Sequence, residues 1–99
     1  MTTKEYGTKE MEKDYGAMTF GRAIWAHRKC EDISQKEFAV SLGISPQSLC
    51  DIEKGRKIPT PGRAAKIAKL IKHPEKYWIQ LALQDTLHRE KLNYKVSVA

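Results

Sequence analysis

The chain has 99 residues, a formal net charge of +6 and 40% hydrophobic residues, enough for one small core and too few for two. It contains no run of about 18 apolar residues of the kind that crosses a bilayer, and its opening stretch, MTTKEYGTKEMEKDYG, lacks the apolar segment and cleavage site of a secretion signal. No membrane role and a cytoplasmic location are therefore expected.

Residues 1–18 carry three Lys against four acids, few apolar residues (Tyr6, Met11, Tyr15, Met18) and no sustained periodicity, which predicts a flexible N-terminal arm. Thr19 is placed to cap a first helix with Phe20, Ala23, Ile24 and His27 on one stripe, ending near Glu31. Ser34-Gln35-Lys36-Glu37 is a capping box flanked by Ile33 and Phe38 as a hydrophobic staple. The second helix that starts there turns Phe38, Ala39 and Leu42 inward and stops at Gly43, which tolerates the left-handed conformation of a helix end.

Ile44, Ser45, Pro46 and Leu49 repeat the start signal at once, as staple, N-cap, first-turn proline and staple partner. The third helix, with Leu49 and Ile52 inward, ends at Gly55. A basic loop, Arg56 to Pro59, leads to Thr60 as N-cap and Pro61 at the first position of a fourth helix. That helix carries Ala64, Ile67, Ala68 and Ile71 on one face and Arg63, Lys66, Lys69 and Lys72 off it. His73-Pro74 breaks it. A fifth helix runs to about Arg89, with Tyr77, Trp78, Ile79, Leu81, Ala82, Leu83 and Leu87 around more than one face, which calls for two packing partners. The strict alternation of Leu92-Asn93-Tyr94-Lys95-Val96-Ser97-Val98 predicts a half-buried strand. A lone strand cannot satisfy its own backbone, so it must pair with the arm, a second subunit or another protein.

Chemistry is sparse. Cys30 and Cys50 have no Cys-x-x-Cys or Cys/His spacing for zinc, and His27, His73 and His88 are scattered, so no metal and no cofactor are expected. Nor is there a nucleophile with its base, a phosphate loop or a paired-carboxylate site, which argues against an enzyme. Charge is more telling. Residues 19–72 hold eleven Lys and Arg against five Asp and Glu, a surplus of six that equals the surplus of the whole chain, so attraction to a polyanion is concentrated there.

Two short helices joined by a three-residue turn form the geometry in which one helix braces on a phosphate backbone and the next enters the major groove. Ser34-Gln35-Lys36-Glu37-Phe38-Ala39-x-x-Leu42-Gly43-Ile44-Ser45 followed by Leu49-x-x-Ile52-Glu53-Lys54-Gly55-Arg56-Lys57-x-Pro59 resembles the Xre/Cro family of helix-turn-helix regulators, over residues 19–72. The resemblance implies an all-α, five-helix, lambda-repressor-like domain, here with the short C-terminal β-strand added. The expected organisation is an arm over 1–18, a DNA-binding domain over 19–72 and a dimerisation region over 73–99.

The resemblance further implies that Gln35, at the second helix's N-terminus with Ser34, binds a DNA phosphate. It makes Arg28 and Glu53 a structural ion pair between the first and third helices. Pro46, Gln47 and Asp51 fall on its base-reading positions, with Ser45 and Ser48 nearer the backbone. Gln47 can pair bidentately with adenine, for roughly 1 to 3 kcal/mol of discrimination, or serve only solubility. Asp51 can accept from the cytosine amino group or exclude other sequences. Pro46 departs from the polar residue usual there and offers only apolar contact. Lys54, Arg56 and Lys57 are placed for phosphates, each worth about 0.9 in the salt slope.

A single helix-turn-helix makes few base contacts, so a homodimer on double-stranded DNA is expected, with Trp78, Leu81, Leu87, Tyr94, Val96 and Val98 at its interface. The alternative is that Trp78, Leu81 and Leu87 complete the monomer's core. The expected function is a sequence-specific transcriptional repressor. The alternatives are an antitoxin resembling the HigA type, with a toxin protein as its partner, and a protein-binding module that has lost DNA specificity.

Overall fold

The computed structural model describes residues 18–98, so the arm expected over 1–18, Met18 apart, lies outside the described residues. These form five helices: α1 Phe20–Cys30, α2 Gln35–Leu42, α3 Pro46–Glu53, α4 Pro61–Leu70 and α5 Glu75–Arg89. Four of them start on a hydroxyl cap that accepts from the backbone N–H three residues on. Thr19, Ser34, Ser45 and Thr60 do so at 3.1, 3.0, 3.0 and 3.2 Å, and Glu37 returns the bond to the Ser34 amide at 3.2 Å to complete the capping box. α5 starts on Pro74 without a side-chain cap.

The ends are less uniform. α2 stops on Gly43 at φ 74°, but α1, α4 and α5 are followed by Asp32, Lys72 and Lys91 at φ 55°, 61° and 61°. Each closes through the next amide: Ile33 donates to the Arg28 carbonyl, His73 to Ala68 and Leu92 to Leu87, at 3.3, 2.9 and 2.9 Å. A left-handed non-glycine residue costs roughly 1 kcal/mol, which these capping bonds offset.

One core joins all five helices. Phe20, Ile24, Leu49 and Trp78 are its largest fully buried side chains, and the Phe20 and Trp78 rings meet edge to face at 5.1 Å. α5 lies against both α4 and α1, as its apolar residues on more than one face require. Trp78 and Leu81, expected at a dimer interface, are instead 1% and 8% exposed within the single chain and complete its core. Residues 73–89 are therefore part of the same folded unit as residues 19–72, because a tryptophan buried against Phe20 cannot be offered to a second subunit. The Trp78 indole N–H donates to His73 Nδ1 at 3.3 Å. The His73 ring packs edge-on to His27 at 4.9 Å, and burial, then the neighbouring His73, push His27 below its usual range against the pull of Glu31.

The C-terminal segment differs from expectation. No strand forms over Leu92 to Val98 among the described residues. A ladder needs a second backbone, and here a side chain replaces it: Gln84 donates through Nε2 to the Tyr94 carbonyl and accepts through Oε1 from the Val96 amide, both at 2.8 Å. A carboxamide offers the same donor and acceptor as a peptide group, so one glutamine ties down one turn of extended chain. Val96 and Val98 are half-buried, whereas Tyr94 is 70% exposed. No helix of the described residues is long and apolar enough to cross a membrane.

Candidate nucleic-acid interface

α3 is anchored by its inner face. Leu49 and Ile52 are 0% and 3% exposed, and Gly21 of α1 lies so close to the end of α3 that a Cβ there would collide with the Ile52 carbonyl oxygen and approach that of Glu53 at 3.0 Å. Anchoring one face leaves the other, with Pro46, Gln47 and Asp51, turned outward. Pro46 and Gln47 are exposed and Asp51 is half-exposed.

These outward groups form a chain of hydrogen bonds. Gln47 Nε2 donates to Asp51 Oδ1 at 3.0 Å, and Arg56 Nε donates to the same oxygen at 3.0 Å. The Gln47 amide first, then Arg56 and Lys57, hold the Asp51 carboxyl below the usual carboxylate range in spite of partial desolvation. One acid thus neutralises a cation of the following loop and orients the amide a turn before it. Among the described residues a second Gln47 amide hydrogen and its carbonyl stay available, the pair that an adenine edge requires. Arg56 also reaches the Cys50 sulfur at 3.8 Å.

The second cluster lies where α1, α2 and α3 converge. Glu53 accepts from Arg28 Nε at 2.7 Å and Nη2 at 3.1 Å, and from Gln35 Nε2 at 2.9 Å. Arg28 Nη1 continues to the Ile33 carbonyl at 3.1 Å, and the bond to Glu53 pushes Arg28 further above its already high range. The side chains of Arg28 and Glu53 are 11% and 3% exposed, so their charges are spent on each other. Gln35, placed by its cap position at the start of α2, is half-buried and held by Glu53, a contact that nothing in its own neighbourhood of the sequence signals.

Of the other candidates, the Ser34 and Ser45 hydroxyls act as helix caps and Ser48 is half-exposed. Lys54, Arg56 and Lys57 are exposed just after α3, so the amide-bearing face and the basic loop adjoin. Trp78 and Leu81 are elsewhere, in the core. Between α1 and α3 runs a groove of about 750 Å³ lined by Met18, Arg22, Trp25, Cys50 and Lys54 beside the Glu53 cluster. Trp25 is 47% exposed there, a residue that helical periodicity leaves off the buried stripe. Arg89 of α5 reaches the loop after α3, donating to the carbonyls of Gly55 and Arg56 at 3.2 and 3.3 Å; sequence reasoning missed it because its partners are 34 and 33 residues away.

Comparison with known proteins agrees with this geometry. Residues 27–77 match the helix-turn-helix family HTH_3. Endothelial differentiation-related factor 1 of Homo sapiens is 31% identical over 64 residues, which span 65% of this chain and 43% of that protein. An uncharacterized HTH-type transcriptional regulator of Bacillus subtilis (strain 168), YazB, is 43% identical over 44 residues, 44% of this chain and 64% of that protein. The chain spans less than half the length of the first of these relatives. No solved structure gives a significant match.

Proposed function

The chain belongs to the Xre-like helix-turn-helix family, and from that premise we propose that it is a DNA-binding transcriptional regulator that represses by reading an inverted repeat as a homodimer. The observation that carries this reading is the outward face of α3, where Gln47 and Asp51 are linked to Arg56 in a basic loop with Lys54 and Lys57. The likeness to a Bacillus subtilis protein described as an HTH-type transcriptional regulator adds to it.

In this reading α3 enters the major groove with Gln47 on adenine. Arg56 then exchanges the Asp51 carboxylate for a phosphate, and Asp51, released, faces the cytosine amino group. Ser34 and Gln35 at the start of α2 meet the backbone on one side of the groove, where the helix dipole favours an anion. Ser45, Ser48, Lys54, Arg56 and Lys57 meet it on the other. Arg28 and Glu53 hold the two helices in register and touch no DNA. Two copies joined through Leu87, Tyr94, Val96 and Val98 would present their third helices about 34 Å apart, one turn of duplex.

Selection of bound duplexes from a random DNA pool at near-physiological salt tests this. Enrichment of an inverted repeat with half-site centres about 10 base pairs apart is expected, with Gln47→Ala losing preference at one position of each half-site. If no sequence is enriched, the reading falls in favour of a protein-binding module on the same fold.

A further inference from the structure

We propose that Arg89 is a positioning residue for DNA binding: from the last turn of α5 it holds the backbone of the loop after α3, so that Lys54, Arg56 and Lys57 meet phosphate from a preformed geometry. The proposal rests on the DNA-binding reading above. The loop's amides are tied back onto α3. Lys54 donates to the Cys50 carbonyl, Gly55 to Ile52, and both Arg56 and Lys57 to Asp51, at 3.0, 3.1, 2.8 and 3.2 Å. Its carbonyls have a different anchor, because those of Gly55 and Arg56 share one nitrogen, Arg89 Nη2, at 3.2 and 3.3 Å.

Placing a fourth cation beside Lys54, Arg56 and Lys57 is electrostatically unfavourable, so its position needs a compensating interaction. Two carbonyl dipoles supply one. Asp85, a turn earlier on α5, supplies another: its half-buried carboxylate accepts from the Phe20 amide at 2.9 Å, and His88 and Arg89 favour its charge against burial, which pushes its pKa up. α5 therefore grips the start of α1 with Asp85 and the exit of α3 with Arg89, while Gly21 of α1 presses on that same exit. The exposed guanidinium of Arg89 is a brace under the loop.

Without the brace the entropy of ordering the loop falls on the binding step, which lowers affinity by about tenfold. The test uses the full chain with a duplex it selects, titrated over a salt series, together with amide hydrogen exchange of residues 54–58 in the DNA-free protein. Arg89→Ala is expected to bind about tenfold more weakly with an unchanged salt slope, and to exchange faster through the loop before any DNA is added. Arg89→Gln keeps an N–H donor and loses the charge, so it should restore part of both properties. A direct phosphate contact predicts the opposite pattern: a slope smaller by about 0.9, unaltered exchange, and Gln no better than Ala. That result, or unchanged affinity in Arg89→Ala while the wild-type chain binds, overturns the positioning role; a wild-type chain that binds no duplex overturns the DNA-binding reading and this proposal with it.

Discussion

Glu53 collects three hydrogen bonds from two helices other than its own, which makes its carboxylate the most consequential single group near the interface. Among the described residues, replacing it with Ala leaves the Arg28 guanidinium with only the Ile33 carbonyl and removes the partner of Gln35. Removing one partner of a buried pair costs about 3 to 5 kcal/mol; because this cluster borders an open groove, Glu53→Ala is expected to cost about 2 to 3 kcal/mol, read from the urea midpoint at constant m-value. Asp51→Ala, by contrast, should leave the midpoint nearly unmoved, since its partner Arg56 is 57% exposed and exposed pairs contribute little. An equal effect of the two substitutions would mean that burial does not distinguish the clusters. Residue types also fell short as a guide to helix ends. Gly43 announced its left-handed turn, while Asp32, Lys72 and Lys91 adopt the same conformation with no glycine to signal it, because the closing bonds onto Arg28, Ala68 and Leu87 outweigh the steric cost.

The crossing of α1 over α3 depends on a missing side chain. In an isolated helix Gly21→Ala would gain about 1 kcal/mol from propensity, but here the added methyl meets the Ile52 carbonyl oxygen, which is backbone and cannot rotate away. Overpacking of this kind costs about 1 to 3 kcal/mol, so the collision should win and Gly21→Ala should unfold at a lower urea concentration than the wild type. A midpoint that rises would mean that the helices separate freely. The caps on Thr19, Ser34, Ser45 and Thr60 were legible in the chain because a cap is a contact over three residues. The crossing was not: it joins residues some thirty positions apart, and a glycine in a helical stretch carries no label for what it faces.

With Trp78 and Leu81 in the core, what remains of the expected interface is Leu87 near the end of α5 with Tyr94, Val96 and Val98 in the segment that Gln84 holds. A chain ending at Lys91 retains every residue of the buried core. It should melt within about 3 °C of the full chain, sediment as a monomer against the dimer expected of the full chain, and bind a half-site; equal sedimentation of the two would put any interface elsewhere. The sequence by itself determined the five helices, the three-residue turn between α2 and α3, the outward Gln47 and Asp51 and the basic loop, because caps, turns and helical periodicity are written in neighbouring residues. Only the tertiary structure decided that α5 joins the core, that Gln84 takes the place of a strand partner, that Gln35 joins the Arg28–Glu53 pair, and that Arg89 holds the loop after α3. Those outcomes depend on which surfaces meet across distant parts of the chain, and an apolar or charged residue reads the same in sequence whichever surface it will find.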